Sequence, residues 1–348
     1  MSRRYSLAVA TFQLIVAEMG STHDFESAAK KLFTRVFGER TELESCKRLS
    51  GGASQETWAL SGCGHQAILR RAPGGGQSAR ASAAIGLPNE AKLIEAAARN
   101  GVPVPKVLHV LTDADGMGEG FAMQRIEGET LGRPILRDEE FADARTVLAA
   151  QCGAALAAIH SIPLAGLPEL SKSDGLDQIA HYEQVYRNAD APRPIFELAI
   201  SWLRANAPTP RPTVLVHGDF RLGNLMVDKD GLSAVLDWEL AHLGDPREDL
   251  AWVCVNSWRF GQSQNRVGGF GQLEEMLEAY AKAGGPQMTP SEIDWWEMLG
   301  SLKWGIMCMI MYEAFRSGAD PSVERAAIGR RVSETEIDLV NLLEKANA

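Results

Sequence analysis

The strongest constraint on what this chain can fold into is a change of character at Gly128. Before it, short runs of strand-forming residues alternate with turns; after it, most apolar positions recur at helical spacing. The first part predicts a helix carrying Phe25, Ala28, Ala29, Leu32, Phe33 and Val36 and stopped at Gly38. Strands over Ser45–Leu49, Glu56–Leu60 and Gln66–Arg71 follow. A helix from Pro88 through Asn100, closed by Gly101, precedes two more strands, Lys106–Leu111 and Gly120–Ile126. Beyond Gly128 the pattern predicts helices over Asp138–Ile162, Asp177–Asn188 and Ile195–Asn206. From Arg247 onward it is helical throughout, broken at Gly284-Gly285-Pro286 and at Gly318. Strands first and helices afterwards define an α+β chain, here two lobes joined near residues 124–128. Residues 1–22 read as a leader or surface helix, 23–127 as the first lobe and 128–348 as the second.

A length of 348 residues allows each lobe a core of its own. The net charge of −10 argues against general nucleic-acid binding, which needs clustered Lys and Arg to displace counterions from phosphates. The five cysteines are odd in number, far apart and without a C-x-x-C pair. That speaks against a disulfide framework or zinc knuckle and for a reducing, cytoplasmic setting. Arg3 and Arg4 precede the apolar stretch SLAVATFQLIVA, a superficial likeness to a secretory signal, but Gln13 and Glu18 interrupt it and no small-x-small site follows. Ile306–Tyr312 is too short to cross a bilayer. A soluble protein without nucleic-acid or membrane partners is expected, its oligomeric state left open.

The stretch VLVHGDFRLGNLMVD, residues 214–228, sets a charged, glycine-containing break between two apolar runs. Asp219 and Asn224 lie five residues apart in it, and Asp237 follows thirteen residues on, closing the predicted strand Ser233–Trp238 after the Asp230-Gly231 turn. Phosphoryl transfer to a hydroxyl needs an acceptor for the hydroxyl proton, oxygen ligands for Mg²⁺ and a cation on the donor phosphates. Asp219 suits the first task, and Asn224 with Asp237 the second. Each of these residues alone is equally at home as a turn former or a strand end.

HGDFRLGN followed by LDWE resembles the H-G-D-x-x-x-x-N and [IL]-D-[WF]-E patterns of the aminoglycoside phosphotransferase and choline kinase-like family, at every fixed position. The closest likeness is to the branch related to the kinase-like domain of acyl-CoA dehydrogenase fusion proteins, and it runs from about residue 25 to about 340. The resemblance implies a bilobal protein-kinase-like fold: a small N-lobe with an antiparallel sheet and a helix, and a larger, mostly helical C-lobe holding the catalytic loop and acceptor site. It implies ATP (GTP possible) and Mg²⁺, with a small-molecule hydroxyl compound as acceptor. Gly51, Gly52, Ala53 and Ser54 take the place of the glycine-rich phosphate loop. Arg70 stands where most relatives carry a phosphate-binding lysine, and Glu90 matches the helix glutamate that steadies that cation. Met123, Gln124, Arg125 and Ile126 match the hinge that receives adenine. Asp219 is the implied base, Asn224 and Asp237 the metal ligands, and His217 and Asp249 the supports of the loop.

Arg221 and Glu239 flank this chemistry; the first could meet an anionic acceptor or phosphate, the second could support Asp237. His160 is expected to pack rather than react. Trp258, Trp295, Trp296 and Trp304 are open to two readings, acceptor pocket or core. Two other functions remain in view. One is a nucleotide-binding pseudokinase or regulatory module, suggested by Arg70. The other is a phosphoesterase with His217, Asp219, Asp237, His242 and Asp245 around two metals. The acceptor itself is not legible.

Overall fold

The computed structural model describes residues 24–49, 55–72, 84–189 and 191–347. The expected leader over residues 1–22 and the glycine-rich candidates Gly51, Gly52, Ala53 and Ser54 lie outside the described residues. Two compact units form. One takes the described residues up to Glu95 together with Pro105–Arg125; the other takes Ala96–Val104 and the described residues from Ile126 onward.

In the first unit a helix, α1, over residues 24–37 precedes strands β1 (Ser45–Leu49), β2 (Glu56–Gly62) and β3 (His65–Arg71). Helix α2 (Leu87–Arg99), β4 (Val107–Val110) and β5 (Gly120–Gln124) follow. The five strands pair antiparallel in the order β1-β2-β3-β5-β4. Period-two alternation divides β3 between two faces. Ala67 and Leu69 join Phe25, Leu32 and Phe33 of α1 in one apolar cluster with Leu60, Leu111 and Ala122. Arg70, out of step with them, belongs to the other face of β3. The strand expected to reach Ile126 ends at Gln124.

The second unit is mostly helical: α3 (Gly132–Arg137), α4 (Ala142–His160), α5 (Gly175–Asn188) and α6 (Pro194–Ala205). After the short strands β6 (Val214–Val216), β7 (Leu225–Asp228), β8 (Gly231–Val235) and β9 (His242–Gly244) come α7 (Arg247–Trp252), α8 (Leu273–Lys282), α9 (Pro290–Ser317), α10 (Val323–Gly329) and α11 (Val332–Asn347). Helix α4 starts later than its pattern suggested because Glu139–Phe141 form a 3₁₀ turn. Helix α9 opens with Thr289 in a capping box with Glu292, carries Pro290 in its first turn and ends at Gly318 in the left-handed region, φ 78°. From Trp295 to Ile306 it is buried on every face, as expected of a helix surrounded by α5, α6, α7, α10 and α11.

A further local expectation is corrected. The strand predicted to run to Trp238 stops at Val235, so Asp237 lies beyond it, in a left-handed conformation with φ 64°. Between Asp237 and α7, His242–Gly244 forms β9 and pairs with β6. Among the described residues no helix is long and apolar enough to cross a membrane. All five cysteines are free thiols.

Candidate active site

The loop of residues 217–224 is suspended between β6 and β7, which belong to different sheets: β6 pairs with β9, β7 with β8. Phe220 and Leu222 are fully buried and anchor the loop, while Arg221 between them stays partly exposed. Gly218 has φ 82°, and a Cβ there would lie 2.4 Å from the Leu240 carbonyl oxygen, so the first turn of the loop requires glycine.

Asp249, in the first turn of α7 and wholly buried, accepts the backbone N–H of His217 at 2.8 Å and of Gly218 at 2.9 Å. His160 approaches the same carboxylate at 3.2 Å and Tyr280 at 2.9 Å, so it packs into a polar cluster behind the loop. His217 is buried against Trp238, with ring centroids 4.8 Å apart. Burial pushes its pKa below the usual imidazole value, against the pull of Asp249, Asp219 and Asp237. Its Nδ1 accepts the Asp219 N–H at 3.2 Å, which places its proton on Nε2, donated to the Leu236 carbonyl at 3.0 Å. His217 is thus a neutral brace.

Asp219 is held by three donors. Oδ1 accepts from Trp252 Nε1 at 2.7 Å and from Arg221 Nε at 2.9 Å; Oδ2 accepts from Asn224 Nδ2 at 2.6 Å. The Asn224 amide nitrogen also donates to the Asp219 carbonyl at 2.9 Å, so its carboxamide oxygen is the end turned away from Asp219. A second tie runs from the Leu236 N–H to the Asn224 carbonyl, 2.8 Å, joining the loop to the segment that carries Asp237. One carboxamide and one carboxylate do not make a closed cage, and among the described residues no group of three or more His, Cys, Asp or Glu could hold a metal. They do fit Mg²⁺, which takes one or two protein oxygens and completes its shell with phosphate oxygens and water.

The five residues weighed for a two-metal centre are dispersed among other tasks. His242 engages Glu248, and Asp245 takes two hydrogen bonds from the Arg247 guanidinium, while His217 serves the loop backbone.

Three neighbours were not found from the sequence. Trp252, on α7, reaches Asp219; Lys303, on α9, lies 4.9 Å over the Trp252 ring; and Glu248 lies 3.4 Å from the Lys303 ammonium. Glu248 also takes bonds from His242 at 3.0 Å and Gln178 at 2.6 Å. Burial would raise the Glu248 pKa, but His242 and Lys303 outweigh it and lower it to about 2. Of the four tryptophans, Trp258 stands closest to the chemistry, with the Arg221 guanidinium 4.5 Å over its ring. Trp304 packs 4.7 Å from Trp258, whereas Trp295 donates to the Leu203 carbonyl and pairs with Trp296 within the core.

In the first unit, Arg70 Nη1 pairs with Glu90 Oε1 at 2.6 Å, and Arg70 Nε donates to Gln55 at 3.0 Å. Glu90 sits in the first turn of α2 and is fully buried. Met123 is buried in β5, Gln124 and Arg125 are exposed, and the Gln124 N–H donates to the Lys106 carbonyl at 2.8 Å. Ile126, half-buried, begins the second unit.

A profile of the phosphotransferase enzyme family matches residues 45–291. Mouse acyl-CoA dehydrogenase family member 10 is 34% identical over 212 residues, 59% of this chain and 20% of that protein. The chain spans less than half the length of the curated relatives it matches. A choline/ethanolamine kinase family protein from Mesorhizobium loti shares 20% identity at a TM-score of 0.61, covering 86% of this chain and 88% of that one. A thermostable mutant of the aminoglycoside phosphotransferase APH(4)-Ia, in a ternary complex with AMP-PNP and hygromycin B, shares 16% identity at a TM-score of 0.57, covering 91% and 98%. At these identities the structures speak for the fold, the expected protein-kinase-like arrangement of an antiparallel sheet unit and a helical unit. The profile runs from the first residue of β1 into the first turn of α9 and so takes in both the Arg70–Glu90 pair and the Asp219 loop: the chain belongs to the phosphotransferase enzyme family.

Proposed function

We propose that the chain is a small-molecule kinase that transfers the γ-phosphate of ATP to a hydroxyl of a small metabolite. The observation that carries this reading is the Asp219 carboxylate, held by Trp252, Arg221 and Asn224 at the head of a loop braced by Asp249. In it, Asp219 orients the acceptor hydroxyl and takes its proton as the new O–P bond forms. Asn224 and Asp237 hold Mg²⁺, which neutralises charge on the donor phosphates when bound. Arg70, steadied by Glu90 at 2.6 Å, contacts those phosphates, and the Met123–Ile126 segment receives the adenine. Residues 23–127 then form the nucleotide-binding lobe and 128–348 the catalytic lobe.

Purified protein with Mg-ATP and a panel of small alcohols and metabolite extracts tests the reading. Equal amounts of phosphorylated acceptor and ADP are expected, with Asp219→Asn losing turnover by about two to four orders of magnitude at nearly unchanged ATP affinity. An Asp219→Asn variant that kept most of its activity would remove the base. ATP binding without turnover on any acceptor would instead favour a nucleotide-binding regulatory module. The observation on that side is an arginine at position 70 whose Nε is engaged by Gln55.

A further inference from the structure

We propose that Trp252 is the positioning residue of Asp219: its indole N–H clamps Oδ1, and Oδ2 is the oxygen that receives the acceptor's proton. The proposal rests on the phosphotransfer reading above and deepens it. A carboxylate oxygen offers two lone-pair directions. Oδ1 uses both, on Trp252 Nε1 at 2.7 Å and Arg221 Nε at 2.9 Å, whereas Oδ2 has one donor, Asn224 Nδ2 at 2.6 Å. The remaining direction on Oδ2 is the place for a hydroxyl.

The two donors on Oδ1 differ in how firmly they are held. The Arg221 side chain is 26% exposed and rests on the outside of the Trp258 ring. The Trp252 indole is buried and fixed on every side: Trp258 stands 5.4 Å from it, and the Lys303 ammonium 4.9 Å over its face. Gly300 of α9 makes the seat, since a Cβ there would lie 2.8 Å from Val255 and 3.3 Å from the indole ring. Lys303 is in turn paired with Glu248, which His242 and Gln178 hold. A rigid aromatic donor backed by a buried ion network keeps the carboxylate plane fixed as its charge changes. During transfer the acceptor O–H bond breaks with its proton going to Oδ2, and the acceptor O–P bond forms. The bond from γ-phosphorus to the bridging oxygen breaks, leaving its electron pair on ADP.

Trp252→Phe keeps the ring face under Lys303 and removes only the N–H. Turnover of the acceptor should fall about tenfold, the cost of a hydrogen bond to a charged group, with KM for Mg-ATP unchanged. The charges facing Asp219, Arg221 from the loop and Lys303 from α9, stay in place, and His217 stays neutral. A ring that merely fills space would lower Tm and leave kcat of the folded enzyme where it was. A second readout needs no activity: of the eight tryptophan indole N–H resonances in a ¹⁵N-labelled sample, the one lost in Trp252→Phe should shift in Asp219→Asn. An indole signal insensitive to Asp219→Asn, or a folded Trp252→Phe enzyme with kcat within twofold, overturns the clamp. A wild-type protein that phosphorylates no acceptor overturns the phosphotransfer reading, and the resonance then decides the contact alone.

Discussion

Asp249 carries two successive peptide N–H groups of the loop of residues 217–224, those of His217 and Gly218, on its two carboxylate oxygens. A fully buried carboxylate spent on backbone donors, far along the sequence from the residues it supports, makes the shape of the loop depend on the start of α7.

Asp249→Asn replaces one acceptor oxygen by an amide that points a donor at a donor. One loop N–H then stays buried and unsatisfied, a cost of about 1–3 kcal/mol. Thermal melts should show the loss, and kcat should fall further than the melt alone accounts for, since Asp219 follows Gly218 in the chain. Wild-type kcat in the folded variant would refute the bracing role.

Asp237→Asn should behave differently. Asn tolerates the left-handed conformation that Asp237 adopts at φ 64°, so the fold should survive with little change in Tm. On the proposed metal role, half-saturating Mg²⁺ should rise roughly tenfold or more, with the nucleotide's apparent affinity following it. An unchanged Mg²⁺ dependence would remove Asp237 from the metal site.

Glu90→Gln tests the nucleotide side. Glu90 is fully buried against Arg70, 2.6 Å away, so neutralising it weakens the hold on a guanidinium that is only 13% exposed. Because removing one partner of a buried pair is strongly destabilising, a loss of about 1–3 kcal/mol is expected for this conservative change. KM for ATP should rise several-fold while the acceptor's KM stays put. Equal effects on both substrates would argue that the pair serves the fold alone.

Stability should depend on pH through His242 and Glu248. Both ring nitrogens of His242 face acceptors, Leu240 O and Glu248 Oε2, each at 3.0 Å. Burial works to lower its pKa, but Glu248 overcomes this and raises it above the ordinary 6.5. Its contribution is therefore complete below 6.5 and is lost as pH rises through the folded value. Glu248, lowered from 4.5 to about 2, contributes fully above 4.5 and loses its share as pH falls toward 2. Melts from about pH 6 to about pH 9 should decline for the wild type and decline less for His242→Gln, which cannot titrate. Parallel curves would show that His242 carries none of the dependence.

The legible parts of this molecule were those written in short-range spacing. Asp219, Asn224 and the flanking apolar runs share one fifteen-residue stretch, and Arg70 sits on a strand whose alternation sets its face. Trp252 and Lys303 escaped because their significance is a contact across 33 and 55 residues, to Asp219 and Glu248 respectively, which no periodicity encodes. Strand β9 escaped because three residues, His-Leu-Gly, are too few to show alternation, and only pairing with β6 makes them a strand. The end of β8 was misjudged because AVLDW continues the apolar run past Val235, while the backbone turns left-handed at Asp237.

The placement of β6 and β7 in different ribbons has a mechanical corollary. The loop of residues 217–224 follows β6 at His217 and leads into β7 at Asn224, and Leu236 ties both ends, its carbonyl accepting from His217 and its N–H donating to Asn224. Slack in one ribbon is passed to the other through Leu236 and through the Asn224–Asp219 bond. A substitution in the hairpin, at its exposed Lys229-Asp230 tip for instance, would therefore reach Asp219 through Asn224.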